Sequence, residues 1–305
     1  MSARWRKVAA LLLGVALCAG MSTSAFAAGK WPNAEGYWLP EAASTYAEKI
    51  DGLFYAILWL TGIVFVVTEL LLLVFIIKYR KQEGRRSIYT HGSHKLEMVW
   101  TLTPALILAV IALVQRGTWN EIKTAPADGP DVVKVQLFGE QFQWNFRYAG
   151  NDGKWGTKDD IRLPGTLYVP KGKKVVIEQT SKDVIHSLFL PYMRLKQDLV
   201  PGMWVKCWFE ATKSTAEMQA KRSKEWNYEI VCAELCGNGH SEMGGLLFVL
   251  EPAEYDAWLK KTSEEFAKGE WDTLEKLWSK WPVNEDGTRK IATKVATEEP
   301  KKAPH

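Results

Sequence analysis

The chain has 305 residues, a formal net charge of +4 and a hydrophobic fraction of 47%. This weak charge argues against a strongly basic, nucleic-acid-binding protein. The sequence contains no Walker loop, nucleophile elbow, dinucleotide fingerprint or C-x-x-C-H haem-attachment motif. The sequence therefore gives no indication of a nucleotide-binding domain, a serine hydrolase or a covalently attached haem.

Residues 1–28 have the pattern of a secretory signal peptide. Arg4, Arg6 and Lys7 precede an apolar core, and an Ala-x-Ala cleavage site ends near Ala27. The apolar part is too short to span a membrane comfortably. Because this segment carries three basic residues and no acids, the charge of the predicted mature chain falls from +4 to about +1.

Two apolar runs predict a transmembrane helical hairpin over residues 51–117. The first run, 53–77, has 25 residues, and the second, 98–114, has 17, near the lower limit for a spanning helix. The loop between them is rich in Lys and Arg, so the positive-inside rule places it in the cytoplasm. Residues 29–50 and the whole chain after the hairpin are then periplasmic, which predicts a two-pass protein of a bacterial inner membrane.

Glu69 lies inside the first apolar run. An intramembrane carboxylate indicates either a functional group or a hydrogen-bonded contact with a partner helix, and we favour the contact. Cys207, in the later run WVKCWFEA, is most simply a buried strand thiol.

Short alternating runs begin at residue 132 and continue to about residue 252, separated by Gly, Pro and Asp. They predict an all-β sandwich or barrel with a single core, in a domain that we place at 118–252. Phe142, Trp144 and Phe146 stand at alternate positions, as aromatic residues facing a sheet core do. Residues 151–160 resemble a calcium loop but lack its terminal glutamate, so we predict a long hairpin turn there.

The stretch CAELCGNGHSEM gathers metal-binding side chains in one loop. Cys232, Cys236, His240 and Met243 are spaced so that a loop folded back on itself brings two thiolates, an imidazole and a thioether together. Soft sulfur ligands combined with imidazole select copper, or failing that zinc or an iron–sulfur cluster.

One more donor is expected from elsewhere in the chain, which has five histidines. His305 is the terminal residue, while His91 and His94 lie across the membrane from the loop in the predicted topology. His186, in the strand-like run DVIHSLFLP, is therefore the candidate that completes the set.

Two alternatives to copper remain at this point. Neighbouring cysteines in an oxidising compartment form disulfides, and a Cys2His2 set is a tetrahedral zinc site. Met243 favours copper, because a thioether is a poor zinc ligand but a usual weak axial ligand of copper.

These motifs resemble subunit II of the haem–copper cytochrome c oxidases. The family's dinuclear copper A loop reads Cys-x-Glu-x-Cys-Gly, then Asn or Gly, then His, with Met three residues later. DVIHSLFLP resembles the strand with the first histidine, and LKQDLVPGM resembles the Asp-x-x-Pro-Gly turn that follows it. The resemblance covers about residues 38–252 and implies a mainly β fold, a periplasmic cupredoxin-like Greek-key barrel preceded by a two-helix transmembrane hairpin.

The resemblance also implies a ligand set for two copper ions. Cys232 and Cys236 would bridge the ions, with His186 and His240 as terminal ligands. Met243 would be a weak ligand.

Glu234 would bind copper through its backbone carbonyl. The side chains of Glu234 and Asp198 would face subunit I, where the family has a magnesium ion. On local grounds Asp198 is equally a simple turn residue before Pro-Gly.

The function implied is that of the electron-receiving subunit of a respiratory terminal oxidase, with no turnover by this subunit alone. Electrons from cytochrome c or a similar soluble donor would pass to haem in subunit I, where dioxygen is reduced to water and protons are pumped; subunit III is a further expected partner. A copper A subunit of a nitric oxide reductase is one alternative, because the acceptor chemistry belongs to the partner. A membrane-anchored copper chaperone is another, but such proteins have a thioredoxin-like αβ pattern and need no Met243.

The residues at which electrons and protons arrive match the family less closely. Where the family has Gly-x-Gln-Trp, this chain has Phe142 and keeps Trp144 two places later, so both are candidates for receiving electrons. Arg147 occupies a position that is often acidic for docking. Glu97 resembles the glutamate at the mouth of a proton pathway into subunit I, and its alternative is a surface pair with Lys95.

Residues 253–305 form a predicted extension. Their first part, 253–280, is helical in pattern, and from about residue 284 the composition is that of a disordered tail. An apolar stripe on the helix predicts a surface that docks on the barrel or on a partner: Trp258, Phe266, Trp271, Leu274 and Trp278.

Overall fold

The structure, a computed structural model, describes residues 39–268. The predicted signal peptide, the predicted tail from residue 284, and the stripe residues Trp271, Leu274 and Trp278 lie outside the described residues.

Two long helices form the predicted hairpin. Helix α1 spans Ala47–Lys78 and α2 spans His94–Lys123, and both are long and apolar enough to cross a membrane. Both extend beyond the predicted runs of 53–77 and 98–114, because polar residues at each end continue the helix outside the apolar part. The Ser93 side chain caps α2 by accepting a hydrogen bond from Leu96 N.

The β domain of the described chain is a mainly β structure of two five-stranded sheets, in agreement with the predicted fold class. The strands are β1 Val132–Glu140, β2 Gln143–Tyr148, β3 Ile161–Pro164, β4 Thr166–Pro170, β5 Lys174–Ser181, β6 His186–Leu190, β7 Leu195–Leu199, β8 Val205–Glu210, β9 Tyr228–Cys232 and β10 Gly244–Leu250. One sheet has the order β3-β2-β1-β5-β8 and the other β4-β10-β9-β6-β7, with parallel pairs β1·β5 and β4·β10 and antiparallel neighbours elsewhere. This fold also contradicts the αβ pattern expected of a copper chaperone.

Strand β2 turns its aromatic residues into the core. Trp144, Phe146 and Tyr148 are buried at alternate positions, which confirms the core-facing pattern for Trp144 and Phe146. Phe142 lies before the strand begins and is 37% exposed, so the pattern does not extend to it. Residues 151–160 connect the antiparallel strands β2 and β3, which confirms the predicted hairpin turn.

A short N-terminal strap, residues 39–46, closes one side of the β domain. Ser44 bridges Ala211, and the Ser44 Oγ donates a hydrogen bond to Met193 O at 2.8 Å. Tyr46 is fully buried, and its hydroxyl donates to Trp208 O at 2.8 Å. Part of the segment that we predicted as a separate region at 29–50 therefore belongs to the domain core.

Polar contacts also tie the β domain to the hairpin. Arg194 donates to both carboxylate oxygens of Asp51 in α1, at 2.7 and 2.9 Å. At the end of α2, Lys123 Nζ lies 2.6 Å from Gln197 Oε1. The domain is thus fixed on the outer ends of the two helices.

Two shorter helices complete the described chain, α3 at Thr215–Lys221 and α4 at Pro252–Ala267. Trp258 of α4 stacks on Tyr168 with ring centroids 4.6 Å apart. The described part of the predicted apolar stripe therefore docks on the β domain.

Candidate metal centre

His186 opens strand β6, which lies between β7 and β9. Its side chain is fully buried. Gly139 of β1 packs against the ring so closely that a Cβ atom there would lie 3.0 Å from His186 Cδ2. Any larger residue at position 139 would push the imidazole away, so this glycine helps to fix the ring.

Asp183 sets the orientation of the imidazole. Its Oδ1 lies 2.8 Å from His186 Nε2, while the other ring nitrogen, Nδ1, is buried without a hydrogen-bond partner. Partial burial raises the pKa of Asp183, but the hydrogen bonds from His186 and from the backbone N–H groups of Gln141 and Val184 outweigh it and lower the pKa. With Nε2 bonded to this carboxylate, Nδ1 is the nitrogen left for a metal.

The loop after β9 brings the remaining donors together. Cys236 Sγ lies 3.8 Å from Cys232 Sγ, 3.6 Å from His240 Nδ1 and 3.7 Å from Met243 Sδ. Ligand atoms of His186, Cys232 and Cys236 all lie within 4.8 Å of one another. The structure therefore gathers all five side chains that the sequence pointed to.

The two cysteines are free thiols. Their sulfur atoms, 3.8 Å apart, are well beyond the ~2.05 Å of a disulfide bond. Cys232 Sγ also contacts the backbone oxygen of Glu234 at 3.3 Å. Cys207, by contrast, lies on β8 against Ile177 O, and burial raises the pKa of its thiol to about 12, as expected of an inert strand residue.

A metal ion fits this donor set. Two sulfurs can share one ion when they are less than about 4.6 Å apart, since metal–sulfur bonds are ~2.3 Å long, and the pair here meets that condition. Burial, together with the neighbouring Cys232 sulfur, raises the pKa of Cys236. The buried thiols therefore need a cation beside them to lose their protons and become thiolates. His186 Nδ1, which has no hydrogen-bond partner, is a further atom that could bind a metal.

A turn at Gln141 and Phe142 lies over the ligand loop. Gln141 Nε2 donates to Cys236 O at 2.6 Å, and Gln141 N donates to Asp183 Oδ2 at 2.7 Å. A Cβ atom at Gly239 would lie 2.6 Å from the Phe142 ring. Glycine at that position allows the aromatic ring to rest directly on the loop.

The two aromatic candidates for receiving electrons occupy different places. Trp144 is fully buried behind His186, with ring centroids 6.0 Å apart, so a docked protein does not touch it. Phe142 is 37% exposed and is the candidate of the two that reaches the surface.

The acidic candidates lie at the edges of the site. Glu234 and Asp198 are both exposed. Ser187 joins their two segments, because its Oγ donates to Asp198 Oδ1 at 2.7 Å and its carbonyl accepts from the N–H of Ala233, next to Glu234, at 2.9 Å. Glu97 lies in the first turn of α2, at the end of the hairpin far from the β domain, and its carboxylate lies 3.3 Å from His94 Nδ1. That contact replaces the Lys95 pairing considered from the sequence.

Arg147 does not offer a free charge for docking. Its guanidinium donates to Asp160 Oδ2, with Nε at 2.8 Å, and the Asp160 side chain is 1% exposed. This pair holds the 151–160 hairpin against β2.

Four supporting residues were not singled out from the sequence: Gly139, Gln141, Asp183 and Gly239. Two signals pointed to them. An acid stands three residues before the candidate histidine in DVIH, and two glycines interrupt the ligand loop in CGNGH. The contact from Gln141 has no such signal, because it joins residues 95 positions apart.

Known proteins resemble this chain over most of its length. The family models described as "Cytochrome C oxidase subunit II, transmembrane domain" and "Cytochrome C oxidase subunit II, periplasmic domain" match residues 32–115 and 152–249. The alternative cytochrome c oxidase subunit 2 of Bradyrhizobium diazoefficiens is 30% identical over 74% of this chain and 83% of its own length. The cytochrome c oxidase subunit 2 of Alkalihalophilus pseudofirmus is 32% identical over 67% of this chain and 56% of its own length.

A solved structure is also similar. The crystal structure of the periplasmic domain of subunit II of cytochrome oxidase (CoxB) of Bradyrhizobium japonicum matches with a TM-score of 0.38 and 23% identity. The match covers 47% of this chain and all of that one.

Proposed function

Because the chain belongs to the cytochrome c oxidase subunit II family, we propose that it receives electrons from cytochrome c or a similar soluble donor and passes them to haem in subunit I. It is a two-pass membrane protein with a periplasmic β domain and a subunit of a respiratory terminal oxidase. In the proposed reaction, dioxygen is reduced to water in subunit I and protons are pumped.

The observation that carries the proposal is the convergence of the buried ligand atoms. His186 Nδ1 and the Cys232 and Cys236 sulfurs are within 4.8 Å of one another. Together with His240 and Met243, and with the backbone oxygen of Glu234, they would hold two copper ions. When bound, such a copper pair supplies a site that takes up and releases one electron at a time.

The surrounding residues keep this site rigid and dry. Asp183 orients His186, and Gln141 ties the ligand loop to Asp183. The side chains of His186, Cys232 and Cys236 are at most 5% exposed. A preorganised ligand set changes little in geometry between oxidation states, which favours fast electron transfer.

Phe142 is our candidate for the point at which electrons arrive. It rests on Gly239 of the ligand loop and presents its ring to solvent. Two further apolar side chains beside the ligands are exposed: Ile185, which precedes His186, and Leu235, within the ligand loop. An apolar surface of this kind suits a transient protein partner.

Electrons would leave toward subunit I on the side of Glu234 and Asp198. Both carboxylates are exposed, and carboxylate oxygens are ligands that magnesium accepts, so they would hold a magnesium ion together with ligands from subunit I. Glu97, at the cytoplasmic end of α2, is our candidate for the entrance of a proton pathway into subunit I. Subunit III would complete the assembly.

Copper loading of the full chain in detergent tests the proposal. We expect two copper ions per chain and a purple, mixed-valence paramagnetic signal shared by both. A colourless zinc protein or a single blue copper would contradict it. Oxygen and nitric oxide consumption by the co-purified complex then separates the oxidase from a nitric oxide reductase.

A further inference from the structure

Glu69 carries the strongest feature that the proposed function leaves unused. It lies in α1, nine residues before the helix ends at Lys78, about 14 Å along the axis. No hydrogen bond or ion pair links it to any other residue within 39–268. Because an unpaired carboxylate in hydrocarbon is costly, such a residue normally faces a protein partner.

The second helix of the hairpin does not cover Glu69. Lys49 Nζ lies 2.6 Å from Glu121 Oε2 of α2, which places α2 on the Lys49 side of α1. Glu69 follows 20 residues later, about 160° around the helix at 3.6 residues per turn. It therefore points away from α2.

The same face of α1 points toward the β domain at its outer end. Asp51 lies 18 residues before Glu69, a whole number of turns, and its carboxylate binds Arg194 of the β domain. A helix that contacts Glu69 would consequently lie in the membrane beneath the β domain. That is where an electron acceptor for the metal centre must be.

Gly62 gives an independent indication of a close neighbour. It lies seven residues before Glu69, about 20° away around the helix. A Cβ atom at Gly62 would meet nothing within 4 Å, so packing inside the described chain does not require its small size. Glycine in a helix interior costs up to about 1 kcal/mol relative to alanine, whereas it lets a neighbouring transmembrane helix approach closely.

We propose that the Gly62–Glu69 face of α1, which includes Leu58, Phe65 and Ile76, docks against a transmembrane helix of the oxidase subunit beneath the β domain. That helix presents a hydrogen-bond donor, a hydroxyl, amide or cationic group, to the Glu69 carboxyl group. The proposal rests on membership of a multisubunit oxidase and on these contacts, and it does not depend on which metal is bound.

The test is affinity purification of the whole complex in mild detergent through a tag on this chain. Glu69→Leu leaves the partner's donor unpaired and is expected to lower the co-purified partner subunit about fivefold or more. Glu69→Gln keeps a hydrogen-bonding group and should retain most of it. Gly62→Leu, which blocks close approach, should reproduce the loss.

Thr68→Val is the matched control. It removes a polar group from the same turn, but Thr68 Oγ1 already donates to Phe65 O at 2.8 Å within its own helix, so no loss is expected. The proposal would be overturned if Glu69→Leu co-purified as much partner subunit as the wild type, or if Thr68→Val lost as much partner subunit as Glu69→Leu. All yields are normalised to the amount of this chain in the membrane.

A photoreactive amino acid at position 69 provides a second measurement. Cross-linking to a partner subunit supports the proposal, and cross-linking to lipid alone refutes it. Copper content is measured on every variant. Since position 69 lies far from the β domain, loss of partner with full copper content separates this proposal from the proposed function.

Discussion

The β domain and the transmembrane hairpin satisfy their polar groups in different ways. In the β domain, Asp183, Gln141 and Asp160 all pair with groups of the same chain, and five ligand side chains meet without outside help. In the hairpin, most side chains are uncovered and Glu69 has no partner among the described residues. The candidate ligands thus converge within the described chain, whereas Glu69 has no partner there, which is the observation behind our proposal of a neighbouring helix.

The largest expected effect follows from removing one of the two thiols that we propose to bridge the copper ions. Cys232→Ser or Cys236→Ser should abolish the shared copper signal and weaken copper binding by more than about 100-fold, since even supporting residues change affinity 10–100-fold. Cys207→Ser is the control, because Cys207 lies on β8 outside the cluster and should leave copper binding unchanged. Copper content after dialysis against a chelator measures copper binding in these variants and in the control. Full retention by either variant would show that the substituted cysteine does not bind copper.

The junction between the two regions is the next place to test. Asp51→Asn leaves Arg194, whose side chain is 6% exposed, without its carboxylate. Removing one partner of a buried ion pair costs about 3 kcal/mol, so the full chain in detergent should unfold at a clearly lower temperature.

Asp128→Asn is the matched control for the junction. It breaks the pair with Lys134, in which the Asp128 side chain is 75% exposed, and should change stability by less than about 1 kcal/mol. Equal losses in the two variants would mean that the β domain is not fixed to α1 through Asp51.

A smaller effect is expected from the turn over the ligand loop. Gln141→Ala removes the hydrogen bond to Cys236 O and should lower copper affinity about 10–100-fold while leaving the ligands in place. Gln143→Ala, the control, removes a hydrogen bond to Asn145 instead and should leave copper affinity unchanged. Competition with a chelator gives the affinities, and Gln141→Glu, which cannot donate to the carbonyl, should fail to restore them.

Sequence patterns predicted the parts of this protein whose signal is local. Apolar length identified both spans, alternation identified the β domain, and the spacing of Cys232, Cys236, His240 and Met243 identified the ligand loop. Elimination among five histidines pointed to His186, which the fold brings to the loop. For the spans, the strands and the ligand loop, a short stretch of chain carries the physical cause, whereas the choice of His186 relied on the predicted topology.

The remaining features depend on contacts between distant segments. Alternation could not show that Phe142 lies in a turn outside β2 while Trp144 lies inside it, because both positions share the same period. The strap at 39–46 has no periodicity, yet Ala43 and Tyr46 become core residues through contacts with residues near 192 and 210. Such burial is decided by tertiary packing.

The smallest predicted effect concerns Glu41, at the start of that strap, and its dependence on pH. Hydrogen bonds from Lys213 and Lys221 lower the pKa of Glu41. A lowered folded-state pKa means that the carboxylate stabilises the fold above its unfolded pKa, and that this contribution is lost as pH falls through the folded value. Since the pair is partly exposed, it contributes less than about 1 kcal/mol.

Lys213→Met should therefore reduce the unfolding free energy at pH 6, and the deficit should shrink as the pH is lowered toward 3. A constant deficit would remain, because Lys213 also donates to Ala42 O at 3.0 Å, a contact that does not titrate. Lys261→Met, on the exposed surface of α4, is the control and should show neither effect. Denaturant titrations of the full chain at several pH values measure the difference. A deficit that grows on acidification would show that another group, rather than Glu41, joins the strap to the β domain in a pH-dependent way.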